Sequence, residues 1–341
     1  MARIVECVPN FSEGRNIKVI NAIAGAISGV AGVKFISAEP DKDYNRTVVT
    51  FVGDPAAVVE GAFQGTRKAA ELIDMAHHAG AHPRIGATDV VPFVPVAGVA
   101  MADCVQLARE FGKRTGDELG IPVYLYEEAA TRPERRNLST IRKGEYEGLA
   151  EKLRDPAWAP DFGPAQFNAK SGATVAGARM FLIAYNVNLD TNDVAIASEI
   201  AFRIRESGRV KKDPQGKPVL DAQGQKVTIP GTLRAVKAMG VLLEAHNIAQ
   251  VSINLVNYHL TPPHAAFEEV KKQAATLGVK ATGSEIVGVT PREALLMAGS
   301  FYAPGAPSEK EQLEAAVASL GLSQLEPFDA RKKIIEDQLS H

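Results

Sequence analysis

The sequence predicts an α+β protein built from two tandem split β-α-β-β-α-β units. Three observations carry that prediction. The chain has 341 residues, which at roughly 100–200 residues per domain gives about two domains. Apolar residues make up 45% of it, the ordinary globular share, so a sizeable core can form. Strand-like and helix-like segments also recur in one order in both halves, although the halves share no obvious identity. Units at 1–178 and 179–341 follow from that repeat.

In the first half, residues 3–8 form a short strand-like run that ends at Pro9-Asn10-Phe11. A helical pattern follows, with Ile17, Ile20, Ile23, Ala24 and Ile27 on one stripe. Residues 33–37 are a short strand candidate, and a polar loop leads into the β-branched strand 46–52. Asp54-Pro55 sets an N-cap and a first-turn proline before a long helix whose stripe carries Val59, Ala62, Phe63, Ala70 and Ile73. Residues 90–96 read as an edge strand, because Pro92 and Pro95 cannot donate to a ladder.

The second half repeats the order: a strand at 180–189, a helix at 193–207, strands at 233–243 and 249–256, a helix from Pro262-Pro263 to about 277, and a strand at 281–289. Such units place both helices on one face of an antiparallel sheet. Between the halves lies a mixed bridge, with a helix at 102–120, a strand at 122–126 and a Pro- and Gly-rich stretch at 156–177. Residues 208–231 read as a mobile surface loop. Ser308 and Glu311 have capping-box spacing before a helix that stops at Gly321.

Forty acidic residues against thirty-eight basic ones leave a formal charge of −2. That balance argues against general nucleic-acid binding, which needs a basic face, but allows a local basic pocket for a small anion. Two cysteines, Cys7 and Cys104, cannot supply a disulfide framework or a cysteine metal cage. No stretch approaches the roughly 20 apolar residues of a membrane span. The N-terminus lacks the apolar middle of a signal peptide. A cytoplasmic protein with no membrane association is expected.

The strand faces suggest where chemistry sits. Ile183, Tyr185, Val187 and Leu189 alternate with Asn186 and Asn188, and Val251, Ile253 and Leu255 with Ser252 and Asn254. Glu6 and Asn10 take the same part in the first half. These polar faces would either line a cavity shared by two facing sheets or meet solvent, as antiparallel sheets often do. Three histidines cluster at 77, 78 and 82, but Pro83 keeps His78 and His82 off a common helical face, and no H-E-x-x-H pattern supports zinc. No metal is expected. His82 sits in the stiff run Gly80-Ala81-His82-Pro83-Arg84 and has the chemistry to move protons, with Arg84 or Arg46 to hold an anion; a surface histidine with no role fits the same residues. Phosphate-loop, dinucleotide and serine-elbow patterns are absent.

Several motifs in one order resemble a single family. They are Val5-Glu6-Cys7-Val8-Pro9-Asn10-Phe11-Ser12-Glu13-Gly14, Asn45-Arg46-Thr47-Val48, His82-Pro83-Arg84 with Gly86, Ala87 and Asp89, Gly144-Glu145-Tyr146-Glu147, Trp158-Ala159-Pro160-Asp161-Phe162-Gly163-Pro164, Gly172-Ala173-Thr174-Val175 and Gly177-Ala178-Arg179. Over nearly the whole chain the set resembles glutamate formimidoyltransferase, the folate enzyme of histidine breakdown. The resemblance implies an α+β fold of two ferredoxin-like subdomains with a ligand cleft or tunnel between them. It implies transfer of a formimidoyl group from N-formimidoyl-L-glutamate to N5 of tetrahydrofolate, which serves as co-substrate, with no metal and no redox cofactor. The family's proton-transfer histidine matches His82. Its folate-binding segment matches Gly163, Pro164, Ala165, Gln166, Phe167, Asn168, Ala169, Lys170, Ser171 and Gly172. Animal members carry a fused cyclodeaminase for which this chain leaves no room, so a separate cyclodeaminase is the implied partner, and a homodimer the expected assembly. Glu39 stands where the family's acidic loop has an aspartate, Ser37 also differs, and the stretch 208–231 is longer than in animal members.

Both substrates carry glutamate carboxylates, which makes Arg46, Arg84 and Arg179 candidate clamps and Glu39 a further substrate-site candidate. Three other readings stay open on sequence alone: the same fold acting on formyl groups, a catalytically idle folate-binding module, and a hydrolase that needs no folate.

Overall fold

The computed structural model describes residues 3–338. Its backbone divides into two units, Met1–Met180 and Phe181–His341. The first contains β1 (Ile4–Cys7), β2 (Asn10–Phe11), α1 (Ile17–Ser28), β3 (Val33–Asp41), β4 (Arg46–Gly53), α2 (Pro55–Leu72), β5 (Thr88–Ala97), α3 (Met101–Leu119), β6 (Val123–Glu127), α4 (Leu138–Arg142), α5 (Leu149–Lys152) and β7 (Thr174–Ala178). The helix starts follow the capping chemistry of the sequence. Asn16 accepts the Lys18 N–H, and Asp54 accepts from Ala56 and Ala57 with Pro55 in the first turn.

The strands make one seven-stranded sheet in which β1 and β2 share a position between β4 and β5, β3 flanks β4, and β7 and β6 extend the far side. Pairing is antiparallel up to β5 and parallel from β5 through β7 to β6. Val5, Cys7, Phe51, Phe93 and Ala176 face α1, α2 and α3, where Ile23, Ile27, Phe63 and Phe111 complete the main core. A second cluster on the opposite face joins Ile85, Val90, Tyr124, Tyr126 and Val175 to Ile141 and Leu149 of α4 and α5.

Two sequence expectations need correction here. Residues 90–96 are not an edge: β5 pairs with β1 and β2 on one side and β7 on the other. Each proline removes one donor only, and the Pro92 carbonyl still accepts from Val8 N–H at 3.4 Å. The stretch 156–177 is not merely a bridge, because it runs into β7, a fully buried strand. Small residues suit that place. A Cβ at Gly177 would lie 2.3 Å from the Tyr126 ring, which fills the space.

The second unit contains β8 (Ile183–Leu189), α6 (Val194–Ile204), β9 (Arg209–Val210), β10 (Thr228–Ile229), β11 (Val236–Leu243), β12 (Ile248–Leu255), α7 (Pro263–Thr276), β13 (Ala281–Val287), α8 (Arg292–Tyr302), α9 (Glu309–Leu320), α10 (Ala330–Lys333) and α11 (Ile335–Gln338). Its main sheet is antiparallel, in the order β11-β12-β8-β13. Ile183, Tyr185, Val187 and Leu189 are all buried, as their alternation predicts. The amides of the other face bond to one another. Gln250 Nε2 donates to Asn188 Oδ1 at 2.7 Å and to Glu285 Oε1 at 2.9 Å, and Asn188 donates to Gln324 at 2.8 Å. Residues 208–231, expected as a mobile loop, are an exposed hydrogen-bonded arm. The β9–β10 ladder closes its base, and Asp213 and Asp221 each cap a turn by accepting two backbone N–H groups. Among the described residues no helix is long and apolar enough to cross a membrane.

Candidate active site

The loop from α2 to β5 carries the three histidines, and the turn between β3 and β4 holds it in place. Asn45 adopts the left-handed conformation (φ 49°) that asparagine tolerates well. From there its Nδ2 donates to the Ala79 carbonyl at 3.0 Å, while its Oδ1 accepts the Gly14 N–H at 2.9 Å. Gly80 lies so close to this turn that a Cβ would sit 2.3 Å from the Tyr44 carbonyl oxygen. His78 has both ring nitrogens engaged: Nε2–H donates to the Asn45 carbonyl at 2.9 Å, and Nδ1 accepts from Arg84 Nε at 3.2 Å. His77 lies exposed, 3.1 Å from Asp74. Among the described residues no group of three or more His, Cys, Asp or Glu is placed to hold a metal ion.

His82, the third histidine of this loop, is bonded differently. The half-buried ring sits with Nε2 3.0 Å from Arg46 Nη1. A guanidinium only donates, so Nε2 is the acceptor and Nδ1 carries the hydrogen. Nδ1 is buried and faces the backbone of Pro83. Burial, then the charges of Arg46 and Arg142, lower the imidazole pKa to about 4, against smaller opposing pulls from Asp89 and from a hydrogen bond to the Pro83 backbone. At neutral pH the ring is therefore an uncharged base. Tyr44 leans over it with centroids 5.8 Å apart. Arg46 also donates to Asn10 Oδ1 at 2.7 Å, so the polar face of β2 reaches the site. Ser12, Tyr44, Asn45, Arg46, His78, His82, Arg84 and Asp89 close together around a narrow gap here.

The other candidate residues lie in different situations. Arg84 is buried, and its guanidinium already holds Glu147 through both terminal nitrogens (2.8 and 2.6 Å) and Glu145 at 3.0 Å. Arg179 donates to the Met180 carbonyl at 3.0 Å and lies near Glu6 and Tyr126. Glu6 is buried, which pushes its carboxyl up to about 7 against the pull of Arg179. Glu39 is exposed on β3 and accepts from Ser37 Oγ at 3.1 Å.

Residues 163–172 begin and end at glycines forced by geometry. At Gly172 (φ +66°) a Cβ would meet the Ile85 carbonyl oxygen at 2.1 Å. That contact is part of a short ladder: Ala87 N–H donates to Ser171 O at 2.9 Å and Ala173 N–H to Ile85 O at 3.0 Å. The end of the segment is thus bonded to the three residues that follow Arg84. Lys170 Nζ ties the segment to the end of α2 by donating to Glu71 O at 2.8 Å. Upstream, buried Arg135 donates to Asp161 at 2.9 Å and to the Ala159 carbonyl at 2.7 Å, fixing the approach. Gly163, Pro164, Ala165 and Gln166 stay exposed.

Residues 4–179 match the family model described as the formiminotransferase domain, N-terminal subdomain, and residues 184–340 match that of the formiminotransferase domain. The chain belongs to the formiminotransferase family. It is 41% identical to the glutamate formimidoyltransferase of Streptococcus pyogenes serotype M1 over 99% of both chains. It is 47% identical to that of Thermoplasma acidophilum, over 88% of this chain and 92% of the relative. The formimidoyltransferase-cyclodeaminase of Dictyostelium discoideum is 47% identical over 98% of this chain, which spans 60% of that relative's length.

In this member of the formiminotransferase family, one residue beside His82 escapes sequence reading. Arg142, at the end of α4, donates to Asp89 Oδ2, whose other oxygen accepts the Ile85 N–H at 2.9 Å. It brings a second positive charge to His82 from 60 residues away in sequence. A five-residue helix inside an irregular stretch offers no periodicity from which that could be read.

Proposed function

We propose that this protein transfers the formimidoyl group of N-formimidoyl-L-glutamate to N5 of tetrahydrofolate and releases L-glutamate, with His82 as the proton carrier and residues 163–172 as the folate segment. The observation that carries this reading is the ladder between Ser171–Ala173 and Ile85–Ala87, which ties that segment to the loop holding a neutral imidazole.

In the reaction a C–N bond forms between N5 and the amidine carbon, and the C–N bond to glutamate breaks. The hydrogen lost from N5 must reach the departing nitrogen. His82 Nε2 is the basic atom for the first half of that exchange, and the same imidazolium returns the proton in the second. A positioned acid–base group contributes roughly 10²–10⁴-fold, and holding both reactants together supplies much of the remainder. Arg46 is the donor-carboxylate clamp in this reading, while Arg84, held by two glutamates, supports the loop. Arg179 and Glu39 stand as further substrate contacts.

The strand orders support reading both units as ferredoxin-like: β3-β4-β1/β2-β5 and β11-β12-β8-β13 each run second, third, first, fourth. The names of the fused relatives suggest that a cyclodeaminase takes the product onward. The test is release of glutamate from formimidoyl-glutamate by purified protein. Release that requires tetrahydrofolate is expected. Release without folate would point to a hydrolase, faster reaction with a formyl donor to the formyl enzyme, and folate binding with no release to an idle module.

A further inference from the structure

We propose that Arg46 masks the His82 base and that a carboxylate of the glutamate donor unmasks it, by drawing the guanidinium off Nε2. This inference rests on the reading above and adds to it a donor-sensing role for one residue.

The only lone pair of His82 available to accept a proton lies under Arg46 Nη1, 3.0 Å away. A base capped by a guanidinium cannot take a hydrogen from a substrate until the cap leaves. Arg46 itself is unusual among the arginines around the site. Arg84 holds Glu145 and Glu147, and Arg142 holds Asp89. Arg46 has only neutral partners, Asn10 Oδ1 and the His82 ring, and among the described residues no carboxylate pairs with it. Its Nε–H is buried without any partner. A buried unsatisfied donor costs roughly 1–3 kcal/mol, and a planar guanidinium fork fits a carboxylate bidentately. A carboxylate on the Nε edge of the fork satisfies that donor and neutralises the charge, and as the guanidinium turns to meet it bidentately Nη1 gives up the imidazole.

The electrostatic result runs in the same direction. The groups facing His82 are Arg46 from β4, Arg142 from α4, Asp89 from β5 and Tyr44 from the β3–β4 turn. Two are cations, and both make the imidazolium unfavourable. Arg142 is already paired with Asp89, so Arg46 is the cation whose field a ligand can cancel. Pairing Arg46 raises the basicity of His82 at the moment its lone pair is exposed. Donors lacking a carboxylate would bind beside a base that stays covered, so Arg46 also selects for the acidic donor.

The test uses L-glutamate as the probe and nitrogen-15 NMR of the histidine rings in the full-length protein. Without ligand, His82 is expected as the Nδ1–H tautomer, titrating near pH 4. Saturating glutamate should shift the Nε2 resonance and raise the apparent pKa by about one unit or more, a tenfold gain in basicity. In Arg46→Met the pKa should rise part-way without ligand, because burial and Arg142 still hold it down, and glutamate should no longer move it. Arg46→Lys, which keeps the charge but loses the fork, should retain the low pKa with a much weaker response. A His82 signal unmoved by glutamate, or an Arg46→Met protein that titrates like wild type, overturns the proposal. The outcome is separable from the activity: transfer with an unresponsive His82 removes only the role of Arg46, whereas a responsive His82 with no transfer removes the proposed function.

Discussion

At the scale of single residues, the decisive fact is that His82 is kept neutral. Its folded pKa lies below the ordinary histidine value, so the uncharged ring persists well into acid. The acid limb of kcat/KM, which reports the free enzyme, is expected near pH 4 and not near 6.5. A limb at 6.5 would show that the imidazole does not carry the burial and the cationic neighbours assigned to it. Sequence reading reached His82 through its stiff proline-bounded loop, and Arg46 as an anion holder. It could not rank Arg46 above Arg84, because the glutamates that occupy Arg84 lie 61 and 63 residues away. The difference between a free clamp and a structural arginine lives in those long-range contacts.

At the scale of elements, the helices and most strands were legible because each carries a periodic apolar face and a local cap. What was hidden depended on neighbours. β5 looks like an edge until β7 is known to lie beside it, and β7 looks like a loop because glycine and alanine replace the larger residues that announce a strand. The helix α8 was not foreseen, and its Gly299 has a tertiary reason: a Cβ there would lie 2.1 Å from the Gln312 carbonyl oxygen of α9. The ladder that joins Gly172 to Ile85 gives a prediction at this scale. Gly172→Ala combines a left-handed backbone with a backbone clash, and should lower stability by roughly 1–3 kcal/mol and reduce turnover by displacing the His82 loop. Gly216→Ala, equally left-handed but in the open arm with nothing within 4 Å, should cost stability without touching turnover. Urea midpoints and kcat for the pair check this, and equal turnover losses would break the proposed link between ladder and chemistry.

At the scale of the whole molecule, two buried groups act on stability in opposite senses. Glu6 has a folded pKa of about 7, above its unfolded value, so its contribution is fully present below the unfolded pKa and is lost as pH rises through 7. His82 has a folded pKa of about 4, below its unfolded value, so stability is lost as pH falls from the unfolded value through 4. Between pH 4.5 and 6.5 the two slopes oppose each other. Glu6→Gln, which fixes the protonated shape, removes one of them: the variant should match wild type near pH 4 and exceed it by up to roughly 3 kcal/mol at pH 8. Denaturant titrations at the two pH values decide it, and a constant difference would remove Glu6 from the balance. Proton transfer by His82 is what formimidoyl transfer depends on most. Glutamate release from formimidoyl-glutamate in the presence of tetrahydrofolate, compared between wild type and His82→Ala, tests it most directly. A fall of roughly 10²–10⁴-fold in turnover, with folate affinity and melting temperature kept, is the predicted result; turnover within a few-fold of wild type would contradict it.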